Sequence, residues 1–306
     1  MSHSPVVTVV IPTYNHAHFL REALTSLRAQ TYPDWEAVVV NNFSDDDTVA
    51  VVESFADSRM VLENFRNNGI ISASRNRGIA LARGRYVAFL DSDDTWYPEK
   101  LAKCMAHFYN GVGLVCHGLR WIGEQERDMF CGPEQRATFD ALLDNGNCIT
   151  PSATVVVKDL LESVGCFSED PAIVTAEDYH LWIKLAQVGN KMYFIKEMLG
   201  QYRIHSGNQS GSVMRQLNAD LRVFNEFLPK ENLYSLEREV RVRRRYCIAY
   251  YGAGRAMQRN GKFDQSWTLL FRGIAYWPFF MKSYIAIVLG LVGTARQWRM
   301  QRLKPE

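Results

Sequence analysis

No two cysteines in this chain are spaced C-x-x-C. The six, Cys104, Cys116, Cys131, Cys148, Cys166 and Cys247, are scattered, so neither a zinc site nor a disulfide framework is suggested and a reducing cytosol fits best. G-x-G-x-x-G, G-K-S and G-K-T are missing too, which removes the dinucleotide fingerprint and the P-loop as ways of holding a phosphate. The opening apolar run, residues 6–11, has no basic flank and no small-residue cleavage site. We expect a buried strand there rather than a signal peptide, and a protein that stays in the compartment where it is made. Basic residues are present without a helix-turn-helix, zinc-finger or RNA-binding signature, so nucleic acid is not expected as a partner.

What is present suffices for a large core. The chain has 306 residues, 47% of them hydrophobic, consistent with one large or two modest domains. Its net charge of +2 hides an asymmetry. Residues 1–214 carry 18 Lys and Arg against 26 Asp and Glu, whereas residues 215–306 carry 17 against 7. The tail is the basic part.

The first third alternates strand and helix signals. Residues 6–11, 35–40 and 86–90 are apolar strand-like runs, and residues 61–64 fit a short further strand. Between them, Asn15 is placed to cap a helix with Phe19, Leu20, Ala23, Leu24 and Leu27 on one face; residues 47–55 and 72–82 read as two more helices, the last ended by Gly84. Such alternation implies a mainly parallel sheet covered by helices, with ligands at the carboxyl ends of the strands. Polar clusters sit at three of those ends: Pro12-Thr13-Tyr14-Asn15, Asn41-Asn42-Phe43-Ser44-Asp45 and Asp91-Ser92-Asp93.

The last cluster is the most informative. Asp91, Asp93 and Asp94 crowd three carboxylates into four positions, and in extended chain Asp91 and Asp93 point the same way. A divalent cation relieves that repulsion; oxygen ligands suit Mg or Mn, which complete their shells with water and substrate phosphate. The competing reading is an Asp-rich turn in which Asp93 or Asp94 caps the segment that follows.

Five blocks in order carry a family resemblance: VVIPTYN (9–15), LRAQTYPDWEAVVVNNFSDDDT (27–48), NNGIISASRNRGIALARGRYVAFLDSDDTWYPEKL (67–101), EDYHLWIKLA (177–186) and YRIHSGNQS (202–210). With these the chain resembles a bacterial family 2 inverting glycosyltransferase of the GT-A fold over roughly its first two thirds. The resemblance implies an α/β fold: a Rossmann-like nucleotide-binding half fused to a mixed-sheet acceptor half, with a C-terminal helical extension. On that basis residues 1–112 would bind the nucleotide sugar, 113–212 the acceptor, and 213–306 would form the basic helical extension. The implied reaction moves a sugar, of hexosyl or N-acetylhexosaminyl type, from a nucleotide-diphosphate donor to an acceptor hydroxyl. Asp91 would then face the ribose and Asp93 the metal, Mn or Mg, which stabilises the diphosphate leaving group. Pro12, Thr13 and Tyr14 match the first donor loop, with Tyr14 against the base. Where the family commonly has D-D-G-S this chain has Asn41-Asn42-Phe43-Ser44. Asn42 can still accept the imide N–H of uracil through its carbonyl oxygen, so uridine and thymidine donors both stay open, with a UDP-sugar expected, and guanosine stays open as well.

Glu177 and Asp178 open a helix expected over 179–188. They could simply complement its free N–H groups and dipole. By resemblance Asp178 is instead the general base and Glu177 orients the acceptor or its loop, each carboxylate raising the apparent pKa of the pair. His205 matches a family position near the metal or diphosphate, although a lone His is more often a surface or core residue. Arg75 is a candidate contact for donor phosphate, with a surface salt bridge as its alternative, as for Arg77. Thr150 and Ser152 either touch the acceptor or make strand-end hydrogen bonds.

The tail reads as helical, with Arg241, Arg243, Arg244 and Arg245 near Tyr250 and Tyr251. Its uncharged run, residues 283–295, spans 13 positions, short of the ~20 a spanning helix needs. Trp277, Trp298, Lys282, Arg296 and Arg299 around it suit an interfacial helix on anionic lipid, against the alternative of a core or oligomer helix. Together these readings give a peripheral enzyme on the cytoplasmic face of a bacterial inner membrane, building surface polysaccharide such as O-antigen or capsule on a lipid-linked acceptor. A catalytically silent nucleotide-sugar-binding or scaffold protein would keep the donor loop without needing Asp178. A glycosidase would need neither nucleotide nor metal.

Overall fold

Strands β1 (Val7–Thr13), β2 (Trp35–Asn41), β3 (Met60–Asn64) and β4 (Tyr86–Phe89) alternate with helices α1 (Ala17–Arg28), α2 (Thr48–Ser54) and α3 (Ile71–Leu81), as the apolar spacing predicts. Every residue of β1, β2 and β4 is buried. Parallel strands covered on both faces favour near-continuous apolar runs over strict alternation, and the buried polar pair in β1 and β2 is satisfied internally, Thr8 Oγ1 donating to Glu36 Oε1 at 2.7 Å. The structure, a computed structural model, describes residues 4–124, 126–205, 212–228 and 236–302, with the side chains at 236–238 and 295–302 outside that description. Residues 206–210 of the fifth family-like block, and the side chains of Arg296, Trp298 and Arg299, therefore lie outside the described residues.

The chain continues through β5 (Thr95–Trp96), α4 (Lys100–Met105), β6 (Val112–Gly123), β7 (Arg127–Met129), α5 (Phe139–Asn145), β8 (Thr154–Val157), α6 (Lys158–Ser163), α7 (Glu177–Gln187) and β9 (Lys191–Ile204). Among the described residues one sheet holds nine strands, in the order β3-β2-β1-β4-β8-β6-β9-β5 with β7 paired to β6. It is parallel from β3 to β4 and becomes mixed where β8 adds antiparallel to β4. The carboxyl end of β4 therefore lies at the junction of the two halves, where the aspartate-rich loop emerges.

Two compact units divide the chain: Met1–Leu142 with Gly146–Asn208, and Leu143–Asn145 with Gln209–Glu306. In the first, Leu20, Leu24 and Leu27 of α1 pack with Val9, Val39 and Leu90 into one core. The second consists mainly of α8 (Val213–Phe227), α9 (Leu236–Arg259), α10 (Phe263–Tyr276) and α11 (Met281–Arg302), with Leu217, Tyr250, Met257 and Leu269 clustered inside it. Among the described residues no helix is long and apolar enough to cross a membrane.

Helix α1 begins differently from expectation. Asn15 sits at φ 52° and its Oδ1 accepts the Asp45 N–H at 2.8 Å, so it does not cap the helix. Asp46, from the loop after β2, accepts the Ala17 N–H at 2.8 Å and supplies the missing acceptor from a distant segment. That arrangement ties the loops after β1 and β2 together. Gly78 sets the depth of α3 on β1, because a Cβ there would stand 2.3 Å from Val10 Cγ1. We expect Gly78→Ala to destabilise the protein by about 1–3 kcal/mol despite alanine's better helix propensity; a urea midpoint at or above wild type would contradict this.

Candidate active site

Arg75 lies on α3 with only 3% of its side chain exposed, and both Nη atoms are engaged. Nη2 donates to Asp91 Oδ1 at 2.8 Å and Nη1 to Glu177 Oε1 at 2.8 Å. Burial alone would depress the guanidinium's pKa, but Asp91 and Glu177 more than reverse that and hold it charged. The guanidinium also faces the Phe167 ring, 5.5 Å from its centroid. Instead of an open phosphate contact or a surface salt bridge, the structure puts a buried clamp between two carboxylates here. Arg77 does make the salt bridge expected as its alternative, with Glu63.

Glu177 does not serve as a helix cap. Its second oxygen accepts the N–H of Thr175, a residue at φ 89°, at 2.8 Å, and so fixes the turn leading into α7. Asp178 beside it is half-buried. It accepts hydrogen bonds from Asn147 Nδ2 at 3.0 Å and from the Tyr179 N–H at 2.7 Å. Burial first, and then the Glu177 charge, push its pKa up to about 7, overriding those hydrogen bonds and Arg75. A carboxylate tuned to neutrality is both present as a base and able to hold the proton it takes. Sequence reading passed over Asn147 as the partner that orients it.

Asp91 and Asp93 part company at the end of β4. Asp91 is held by Arg75, and its N–H donates to Ser152 Oγ at 3.1 Å. Asp93 Oδ2 stands 3.0 Å from His205 Nε2, bringing together two residues far apart in the chain. Burial and the Asp91 charge raise the Asp93 pKa, and His205 opposes them. His16 Nδ1 lies 3.0 Å from Ser92 Oγ, and its ring is 5.8 Å from that of His205. Asp93 and His205 offer one oxygen and one nitrogen donor, a set that fits an ion drawing the rest of its shell from diphosphate and water. Among the described residues no group of three or more His, Cys, Asp or Glu side chains is placed to hold a metal alone.

Two expectations are corrected here. Asp94 caps no helix: the residue before α4 is Glu99, while Asp94 is buried and accepts the Arg203 N–H at 2.9 Å. Burial and the neighbouring Asp93 raise its pKa well above the usual carboxylate range. Ser152 is not an acceptor contact either. It is fully buried, bonded to Asp91 N–H and, through its carbonyl, to Trp96 Nε1 at 2.7 Å.

The donor-loop candidates gather beside this cluster. Tyr14 and Asn42 line a cleft of about 650 Å³ with Asn41, Ser44, Arg66 and Asn68. Pro12 and Thr13 are buried at the end of β1, outside the cleft lining, and Tyr14 is half exposed. Asn42 Oδ1 accepts the Asn67 N–H at 3.0 Å. The oxygen expected to read a base's imide N–H thus already holds one hydrogen bond and keeps one lone pair. Phe43 adopts φ 55°, a backbone that glycine takes at less cost, and Arg66 lies over its ring at 5.0 Å. No local sequence signal marked Arg66 or Asn68 as cleft residues.

A family model described as Glycosyl transferase family 2 matches residues 8–162. The Escherichia coli UDP-Glc:alpha-D-GlcNAc-diphosphoundecaprenol beta-1,3-glucosyltransferase WfgD is 30% identical over 237 residues, 76% of this chain and 90% of its own. Among solved structures, residues 1–349 of S. aureus TarS in complex with UDP-GlcNAc superpose with a TM-score of 0.59 at 20% identity, covering 86% of this chain and 90% of that one. The mannosyltransferase PcManGT from Pyrobaculum calidifontis, in complex with GDP-Man and Mn2+, gives 0.58 at 21% identity, covering 97% and 87%. These likenesses identify the α/β architecture as GT-A, with a helical region following it.

The site's two kinds of charge respond oppositely to substitution. Arg75→Met leaves Asp91 and Glu177 without their cation and should cost about 3–5 kcal/mol of stability. Asp178 has the reverse sign: between 3.8 and about 7 the folded state holds a proton the unfolded chain has released, so its contribution to stability falls as pH rises through that window. Asp178→Asn should therefore raise Tm by about 2–4 °C at about pH 8, with the gain shrinking toward about pH 4. Calorimetric melting curves check both, and a lower Tm for Asp178→Asn at the higher pH would contradict the assigned shift.

Proposed function

The chain belongs to glycosyltransferase family 2, and from that premise we propose that it is an inverting, metal-dependent enzyme moving a sugar from a UDP-sugar to a lipid-linked saccharide. The observation that carries this reading is the convergence of Asp91, Arg75 and Glu177-Asp178: the clamp sets a neutral-pKa carboxylate beside the aspartates that would face the donor. The donor's base stacks on Tyr14 in the cleft while Asn42 reads its edge, and Asp91 meets the ribose. Asp93 and His205 would hold a divalent ion, Mn or Mg, which when bound would supply positive charge against the negative charge that grows on the departing diphosphate. Asp178 removes the proton of the acceptor hydroxyl as that oxygen attacks the anomeric carbon from the face opposite the diphosphate. Asn147 donates to one oxygen of that carboxylate and so orients it, and Glu177 keeps the loop in place.

Support for the UDP donor comes from the names of two relatives, since WfgD uses UDP-Glc and TarS binds UDP-GlcNAc. WfgD acts on a sugar carried by diphosphoundecaprenol, which supports a lipid-linked acceptor and a place in surface polysaccharide assembly, such as O-antigen, for this chain. That acceptor and the basic C-terminal helices together favour a peripheral position on the cytoplasmic face of a bacterial inner membrane.

Isothermal calorimetry with UDP, with and without Mn, tests the donor side. We expect Mn to tighten UDP binding and Asp93→Ala to remove that dependence; affinity indifferent to Mn would contradict the metal's role. On the acceptor side, Asp178→Asn should keep UDP affinity but lower turnover by about 10²–10⁴-fold. Full turnover in that variant would overturn the assignment of the base.

A further inference from the structure

Helix α11 is built inside out for a protein that meets only water. Ser283, Ala286 and Gly290, all small, form the side buried in its own unit. Gly290 is held so close that a Cβ would lie 2.7 Å from Gln258 Nε2 of α9 and 2.8 Å from Trp267 Nε1 of α10. The large apolar residues point the other way: Ile285, Val288 and Leu289 are 58%, 59% and 50% exposed, and Met281 and Val292 continue the same face. Just before the helix, Phe279 is 74% exposed. A contiguous apolar face of this kind marks an interaction surface rather than scattered exposure.

Charge identifies the occupant. From residue 265 to residue 305 there is no Asp or Glu, while Arg272, Lys282, Arg296, Arg299, Arg302 and Lys304 all fall in that stretch. Arg272 and Lys282 are exposed, and Lys282 borders the apolar face one turn from Ile285 and Ala286. A second copy of this chain would bring that cationic border against its own image with no acid to answer it. An anionic lipid surface answers both features, since its headgroups attract the cations and its acyl boundary takes the apolar side chains. Length sets the orientation: Met281 to Val292 rises about 17 Å at 1.5 Å per residue, against about 30 Å of hydrocarbon. Small residues facing inward and large ones facing out repeat the packing of helices whose outer side meets lipid.

We infer that α11 lies in the plane of an anionic bilayer, with Ile285, Val288, Leu289 and Val292 inserted at the acyl boundary and Lys282 at the headgroups. This rests on the peripheral-membrane reading above and names the surface that would carry it, in place of a general attraction by the basic helices.

Sedimentation of the full chain with vesicles tests it. Phosphatidylcholine mixed with phosphatidylglycerol is compared with phosphatidylcholine alone, for wild type, a Val288→Glu and Leu289→Glu double variant, and Lys282→Glu. Both apolar positions are exposed, so circular dichroism and Tm should match wild type. We expect wild type to pellet with the anionic vesicles, the double variant to lose affinity by about tenfold per side chain, and Lys282→Glu to lose preference for anionic lipid. Unchanged binding by the double variant would overturn the assigned face while leaving the peripheral reading intact. No binding of wild type to either vesicle would overturn both. A concentration-dependent wild-type dimer, abolished in the double variant, would assign the face to a second copy instead.

Discussion

Arg75 brings a permanent positive charge into the end of the sheet, where it meets Asp91 and Glu177 at 2.8 Å each and is almost free of solvent. Taking a guanidinium out of water is costly, and only two well-aligned carboxylates make the burial sustainable. The geometry in turn depends on α3, which Gly78 lets settle directly on Val10. One cation thus joins three segments: the helix that carries it, the loop after β4, and the turn before α7. Its worth is registration, because Asp91 and Glu177 belong to parts of the chain that no local structure connects.

The clamp also sorts the acids by task. Asp91 and Glu177 are neutralised in place. Asp178, next to Glu177 but bonded to Asn147 rather than Arg75, is left with a pKa near 7. Asp93 is raised by burial and by Asp91, with His205 as its partner. Asp94, deeper still, holds the Arg203 N–H and so anchors the aspartate loop to β9. All five carboxyls come from two short runs, Asp91-Ser92-Asp93-Asp94 and Glu177-Asp178, yet their environments differ. Residue type alone would assign them one chemistry, whereas position gives them several.

How much of this could be read in advance follows from the range of each interaction. The β1–β4 alternation was legible because β-branched runs and helix stripes are local patterns, and the loops at the strand ends follow from parallel topology. Asp91, Asp93, Glu177 and Asp178 stood out as acids beside apolar elements. Asp94's role was hidden, since it depends on Arg203 arriving through the long strand β9. The cap of α1 was hidden for the same reason: Asp46 acts from the next loop, and Asn15 is diverted by its left-handed backbone. Ser152 looked available on sequence, but the pairing of β8 with β4 buries it. In the second unit the composition of α11 was plain, whereas the outward direction of its large residues appears only once Gly290 is seen against Gln258 and Trp267.

The central claim is that Asp178 is the base and that the neighbouring Glu177 charge, fixed by Arg75, adds to burial in raising its pKa. The pH dependence of kcat/KM for Glu177→Gln, measured beside wild type, tests this most directly, since it reports the free enzyme's essential groups. Wild type should show an acidic limb at about 7. Loss of the Glu177 charge, and of the partner that offsets Arg75, should both move that limb to lower pH. A limb that stays in place, or a wild-type rate without one, would contradict the account.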